Sequence, residues 1–534
     1  MHQPDSTPST LFASQAGLAL LDDHPGDALR IARMGLSLCH DAPDLLEIAA
    51  DSAARLGDDA NAALYWRRLV DLVPEHAQAW NGLAIALQRR GAVHDAEAAW
   101  QQALALLPDD ANLHTNLGLL LEERGALAEA ERHQRRAAAL APDSAPVLNH
   151  LANLLARGGH ATEAEALYRA ALVHQPDFAT THCNLGVLLT DLERHADAEA
   201  AFRRALALQA DFPRCQANLG QLLLAHGRLA EGWPLHEGRL LTHGAYCRDA
   251  CGSAGLPQWQ GEALDGKAIL VLPEQGYGDD IQFCRYLLWL KSRGAAQVTL
   301  ACRPALAALM AGLAGADRVV DHSEVPALLK QHDYWTVLLS LPLHAATTLD
   351  TIPATVPYLR PDPARMQRLL PVLEAAAGPG ELRVGLVWRG NPRHANDADR
   401  SLPGLETLAP LWAVDGVRFF SLQVGHSSPF PAAQPIGDLA PVIGDFADTA
   451  ALLAGIDLLI SVDTATAHLA GALGRPCWIL LPCFKADWRW LRGRADSPWY
   501  PASRLFRQPR RGDWNAPVKA LSAALEQLRV EWKT

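Results

Sequence analysis

Between residues 458 and 481 the chain reads LLISVDTATAHLAGALGRPCWILL, and the side chains able to do chemistry stand in its middle. Asp463, Thr464, Thr466 and His468 place a carboxylate, two hydroxyls and an imidazole within one short stretch. The apolar run 458–462 before them reads as a buried strand. Residues 464–473 behind them read as a helix that Gly474 and Pro476 end, before a second apolar run, 477–481. Open α/β sheets bind ligands at the carboxyl ends of their strands, which is where these polar groups gather. Free N–H groups of Thr464, Ala465 and Thr466 at the helix start favour an anion such as a diphosphate. Thr464, Thr466 and His468 add side-chain donors. The competing reading is that Asp463 caps the helix and the rest is packing.

A second loop has the same plan. Lys267 introduces the strand AILVL, followed by PEQGYGDD, a helix from about residue 281 to 291, and a strand around 298–300. Gly276 and Gly278 permit tight backbone geometry, and Asp279 stands at the helix start as a cap, with Asp280 beside it. The third glycine and the ribose-binding acid of a dinucleotide fingerprint are missing. Asp397-Ala398-Asp399 mimics a metal-binding D-x-D, but no further carboxylate is near in sequence. It reads as a solvated or gating loop, and no metal site is expected. Residues 487–514 interleave Arg with Trp and Tyr. Nucleic-acid stacking is one use of such a run, and packing of a closing helix between lobes, guanidinium groups near phosphate, is the other.

Net charge decides between those uses. At −12 over 534 residues the chain is a poor general binder of nucleic acid or anionic membrane. Its start, MHQPDSTPST, lacks a secretory signature, and no apolar run approaches the roughly eighteen residues of a membrane helix. Nine cysteines are scattered, and the close pairs Cys247/Cys251 and Cys477/Cys483 have no second half to complete a zinc site. A cytoplasmic protein with reduced thiols is expected.

The first half is a repeat array. From about residue 44 to 240 the pattern recurs every 34 residues: Pro74, Pro108, Pro142 and Pro176; Ala62, Ala96, Ala130, Ala164 and Ala198; Trp66, Trp100, Tyr168 and Phe202, with Gln134 breaking the series; Gly57, Gly91, Gly125, Gly159 and Gly227. This resembles the tetratricopeptide repeat (TPR), whose helix pairs stack into a superhelix with a concave face suited to extended peptides. Asn116, Asn184 and Asn218 share one slot, with His150 at the intervening rung. Such a ladder of amides suits a bound peptide's backbone and is similar to the asparagine ladder of the O-linked N-acetylglucosamine transferases; it is also simply a frequent residue at that position of the repeat.

Composition shifts give the expected domains: a degenerate helical cap over 1–43, repeats over 44–245, a Gly- and Pro-marked linker over 246–265, and two α/β lobes over 266–375 and 381–534, hinged near 375–381. Further strands are expected at 318–320, 335–339, 383–388 and 418–423, and helices at 447–455 and 517–532.

Here a resemblance becomes specific. VDTATAHLAGALGRP looks like the nucleotide-sugar diphosphate motif of glycosyltransferase family 9, the lipopolysaccharide heptosyltransferases, and GYGD looks like their amino-lobe loop, over roughly residues 266–510. Repeats joined to EQGYGDDIQFCRYL, GNPRHANDADRSLP and SPWYPASRLFRQ resemble bacterial TPR-glycosyltransferase proteins. The resemblance implies a GT-B fold of two Rossmann-like lobes and a metal-independent glycosyltransferase without a cofactor. Its nucleotide-sugar donor would lie against Asp463, Thr464, Ala465, Thr466 and His468, with Arg400 (or Arg389) adding a cation and Gln423 meeting nucleoside or sugar. Asp279, or Asp280, would be the base. Ala465 stands where the heptosyltransferases usually carry Gly, so a heptose donor is not implied. A protein held by the repeats is the expected acceptor; a lipid-linked or glycan acceptor, or a scaffold without turnover, is the alternative.

Overall fold

The computed structural model describes residues 8–242, 249, 251–394, 396–425 and 436–532. The start of the expected cap, part of the linker, Cys247 and Ala395 lie outside the described residues. The chain divides into two compact units, Met1–Leu188 and Leu189–Thr534.

In the first unit, antiparallel helix pairs follow one another from Pro8–Leu21 and Pro25–Leu38 through Ala145–Arg157 and Ala161–His174. The 34-residue period has a backbone cause. Gly57, Gly91, Gly125 and Gly159 take φ of 74°, 77°, 78° and 85°, the left-handed conformation that closes a helix at least cost with glycine. At Gly91, Ala92 N donates to Leu87 O and Gly91 N to Gln88 O, so the last carbonyls of helix Ala77–Arg89 are satisfied. Asp23 holds the same slot one period earlier at φ 59°. The alanines at 62, 96, 130 and 164 are fully buried, which lets paired helices approach, and Trp66, Trp100 and Tyr168 fill the gaps between pairs. Gln134, where the aromatic series breaks, is also buried and donates to Thr115 O at 3.1 Å.

The second unit carries the remaining repeat helices, among them His195–Leu208, Pro213–Ala225 and Leu229–His236, together with two parallel sheets. The first sheet contains β1 (Ala268–Leu272), β2 (Gln297–Cys302), β3 (Arg318–Asp321) and β4 (Tyr334–Val337), in the order β3-β2-β1-β4. The second contains β5 (Leu382–Val387), β6 (Val417–Ser421), β7 (Ile436–Asp438), β8 (Leu458–Val462), β9 (Cys477–Leu481) and β10 (Ser503–Arg507), in the order β10-β9-β8-β5-β6-β7. All pairings within the two sheets are parallel, and the central strands are buried end to end, as strands covered on both faces must be. In both sheets the strand order reverses beside the first strand, between β1 and β4 and between β5 and β8. A crevice opens at such a reversal.

Several details differ from the sequence expectations. The helix expected from 281 begins at Tyr277, turns through a 3₁₀ segment, Cys284–Tyr286, and resumes at Leu287–Ser292. The segment expected as a closing helix supplies an edge strand, β10, preceded by a 3₁₀ turn, Trp488–Trp490. Residues 256–264, expected as linker, are part of the first lobe: Gln258 bridges Trp335, and Trp259 is 1% exposed in the lobe core. Helix Pro363–Ala376, ahead of the expected hinge, packs on helix Phe446–Ala454 of the second lobe, with Arg365 bonded to Asp445 and Asp448. Among the described residues no helix is long and apolar enough to cross a membrane.

Candidate functional site

The carboxyl ends of β1, β5, β6 and β8 face a shared cleft of about 850 Å³ within the second unit. One wall is the loop after β1, with Gly276, Gly278 and Asp279. The other is made of the turn after β8, the loop after β5 and the end of β6, with Asp463 to Thr466, His468, Arg400, Arg389 and Gln423. Every residue expected to hold a nucleotide sugar, together with Asp279, therefore lines one space. Asp280 does not. It is buried, with an oxygen 3.2 Å from Arg303, and burial raises its pKa to about 7.

The turn after β8 is sharp because the N-cap is Thr464, not Asp463. Thr464 Oγ1 accepts from Ala467 N at 3.4 Å and meets Ser461 Oγ at 2.9 Å. The Thr464 hydroxyl is therefore committed to the fold. Helix Ala465–Ala472 follows, and the N–H groups of Ala465 and Thr466 open its first turn towards the cleft. Asp463, freed from capping, is 9% exposed. Burial, then the nearby Asp487 carboxylate, raises its pKa.

His468 is set differently from expectation. Its ring stacks on Trp490 with centroids 5.0 Å apart, Nδ1 lies 2.9 Å from Tyr500 Oη, and Nε2 lies 3.9 Å from Asp463. Burial, then the Arg489 charge, brings its pKa down to about 3, so the imidazole is neutral at ordinary pH. It can offer a hydrogen bond to an anion but not a charge. Gly278 allows this stack to sit against the opposite wall: a Cβ there would come within 2.7 Å of His468 Cδ2.

Asp279 is the third residue of helix Tyr277–Phe283, whose N-cap is Gly276. One oxygen accepts from Gly276 N. The other is ion-paired with Arg489, which reaches across from the second lobe. Arg489 is buried, is also held by Asp487 at 3.0 Å, and lies over the Trp488 ring at 4.4 Å. Sequence spacing gave no hint of this pair, because its members are 210 residues apart. The abundance of Arg and Trp in 487–494 was the only signal. Arg285 was missed for the same reason; it is buried, donates to Pro353 O, Trp499 O and Tyr358 Oη, and so joins the lobes behind the cleft.

In the loop after β5, Arg400 ends the short helix Asp397–Arg400, its Nε 3.5 Å from Asp397. Asp397 also accepts from Ser401, and Asp399 pairs with Arg511 at 2.7 Å, so the D-x-D carboxylates are each engaged by the fold. Gln423 uses its carbonyl to accept from Trp388 N and Arg389 N, at 3.1 and 2.9 Å, which leaves its amide NH₂ for a ligand.

In the repeats, Asn116 donates to Asn81 at 3.3 Å and Asn184 to Asn149 at 3.0 Å, each tying its helix to the preceding pair. Trp100 and Thr181 converge on the same two acceptors. One amide donor of Asn116 and one of Asn184 is thus used between repeats. His150 is half-buried, and burial lowers its pKa. Asn218, in the second unit, is half-buried.

Comparison with known proteins bears on the repeats and on the chain's reach. A family model described as Tetratricopeptide repeat matches residues 49–95, 83–145 and 150–211. Protein FlbA of Caulobacter vibrioides is 29% identical over 332 residues, which is 57% of this chain and 54% of FlbA. The chain therefore spans about half the length of the curated relative it matches. Among solved structures, Pseudomonas aeruginosa PilF is 16% identical over 39% of this chain and 95% of its own, with a TM-score of 0.35. YrrB, a TPR protein with an unusual peptide-binding site, is 18% identical over 34% and 95%, at 0.30. MamA of Desulfovibrio magneticus is 20% identical over 33% and 99%, at 0.31. The amino-terminal region is an array of tetratricopeptide repeats, and an α/β region with parallel sheets follows it.

Proposed function

We propose that the second unit is a GT-B type glycosyltransferase that moves a sugar from a nucleotide-sugar donor to an acceptor presented by the repeats, an extended protein segment. The observation that carries this reading is the convergence, on one cleft at two strand-order reversals, of a helix N-terminus, Arg400 and, from the facing wall, Asp279. The donor's diphosphate sits on the N–H groups of Ala465 and Thr466 with Arg400 beside it. Charge developing on the leaving group is then met by donors already in place. The acceptor oxygen forms its bond to the sugar's anomeric carbon as the bond to the diphosphate breaks. The diphosphate leaves with the electron pair, and Asp279 takes the acceptor's proton. Charge compensation comes from the protein, so the reaction needs no metal.

A second reading has one specific observation behind it. Both Asp279 oxygens are already engaged, by Arg489 and by Gly276 N, which suits a sugar-nucleotide-binding domain without turnover. One experiment separates the two. Thermal shift of the full chain against UDP-, GDP-, ADP- and CMP-linked sugars identifies the donor, and mass spectrometry of acceptor protein follows transfer in chelator. We expect Asp279→Asn to keep donor binding and lose about 10²–10⁴-fold in transfer. Binding with no transfer by the unmodified chain supports the second reading, and no shift with any donor removes both.

A further inference from the structure

The repeat pattern fails at AEGWPLHEGRL, residues 230–240, where the second helix of the pair shortens to Leu229–His236 and a turn of helix, Arg239–Thr242, follows. Three residues of this stretch, Trp233, His236 and Arg239, are at most 2% exposed. Trp233 and His236, three apart, share a helix face, and both rings lie against Trp488, at 5.4 and 5.8 Å. Trp233 Nε1 also donates to Thr347 O at 2.9 Å. Arg239 engages the other wall. Its Nε and Nη2 each reach one oxygen of Glu274 at 2.9 Å, and its Nη1 donates to Glu237 at 2.6 Å.

A buried bidentate pair of this kind is an inefficient way to stabilise a fold, since desolvation offsets most of the attraction, but its geometry fixes position. What it fixes is informative. Glu274 belongs to the loop that carries Asp279, and Trp488 immediately precedes Arg489. Asp279 and Arg489 in turn pair across the cleft. One short helical segment thus seats both members of the pair from behind.

We propose that residues 229–242, although they belong to the repeats by sequence, are a working part of the cleft, with Arg239 and Trp233 as positioning residues that set Asp279 against Arg489. The functional meaning of this arrangement rests on the transferase reading; the test of it does not. Removing Arg239 alone leaves Glu274 buried and unpaired, so the informative chain carries Arg239→Met with Glu274→Gln. This neutralises the buried pair, while Glu237 is partly exposed and keeps its bonds from Ser340 Oγ. Trp233→Phe is the second variant. Amide hydrogen exchange is followed in the full chain over residues 275–283, 487–491, 382–387 and 458–462, and inorganic pyrophosphate binding is measured alongside.

In the double variant we expect exchange over 487–491 to accelerate at least about tenfold, although neither substitution touches that segment, while 382–387 and 458–462 keep the unmodified rate. Trp233→Phe should accelerate 487–491 and, through the Arg489–Asp279 pair, 275–283. Unchanged exchange at 487–491 in a folded double variant overturns the proposal, and so does uniform acceleration over all four segments, which is what mere stabilisation predicts. If the double variant does not fold, the Trp233→Phe pattern decides in the same way. Failure of pyrophosphate to bind the unmodified chain counts against the anion site of the transferase reading and leaves the exchange result to judge this proposal.

Discussion

At the scale of single residues, His468 has the clearest physical signature. It is confined by Trp490, Tyr500 and the Gly278 backbone, and the charged groups around it are the carboxylates of Asp463 and Asp487 and the guanidinium groups of Arg489, Arg285 and Arg400. Its pKa in the fold is about 3, against about 6.5 for a solvated imidazole. Between those values the unfolded chain holds a proton that the folded chain does not. This contribution to stability is therefore complete above pH 6.5 and is lost as pH falls towards 3. Asp463 and Asp280 work in the opposite direction, since a carboxyl group whose pKa is raised in the fold favours folding as pH falls. Comparing the chain with its His468→Gln variant isolates the imidazole. Between pH 7.5 and pH 5 the unmodified chain should lose about 2 kcal/mol of unfolding free energy that the variant does not, read by urea titration at each pH. Equal losses in the two chains would mean that His468 is open to water or already charged.

At the scale of elements, the decisive packing is between helices Tyr277–Phe283 and Ala465–Ala472, one from each lobe. They can approach because Gly278 presents no side chain to His468; elsewhere on the second helix, Gly471 leaves room for the Tyr500 ring, whose atoms lie where a Cβ would go. Gly278→Ala forces the two helices apart or tilts His468 off Trp490. We expect a cost of about 1–3 kcal/mol in thermal or chemical unfolding and weaker binding in the cleft. Gly276→Ala, whose added Cβ would meet an Asp279 oxygen at 3.3 Å and the Gly278 nitrogen at 4.0 Å, should cost much less. Comparable costs at the two positions would argue that the helix contact is not the reason for glycine at 278. The elements themselves were unequally legible in the sequence. β1, β8 and β9 were readable to the residue because strands buried on both faces are unbroken apolar runs between polar or glycine stops. β10, SRLFR, and β7, IGD, were not, because edge strands are short and carry polar residues. The lining of the cleft was largely legible, since it follows from motif residues at strand ends. The ion pairs in it and behind it were not: Asp279 with Arg489, and Arg239 with Glu274, are tertiary facts that no local spacing encodes.

At the scale of the molecule, the repeats do not all belong to the same compact unit. Within the second unit, Leu224, Leu229 and Trp233 share one apolar core with Trp259, Phe283 and Trp488 of the α/β region, and Arg492 N donates to Ala225 O. A division by sequence pattern near residue 262 would cut through that core and expose Trp488, Phe283 and the backbone acceptor at Thr347. Fully burying a large apolar side chain is worth roughly 1.5–3 kcal/mol, so loss of several partners should weaken the remaining lobes by several kcal/mol. For a unit of this size that corresponds to a fall in Tm of about 10 °C or more. The newly bared aromatic patch should also promote self-association. A shortened chain begun at Ala179, which keeps helix Ala179–Asp191 whole, should by contrast melt close to the full chain's α/β transition and run as a single species on gel filtration. The comparison of shortened chains over 179–534 and 266–534, by calorimetry and light scattering, tests this directly. If the shorter piece is as stable and as well dispersed as the longer one, the last repeats are passengers, and the cleft owes nothing to the helices packed behind it.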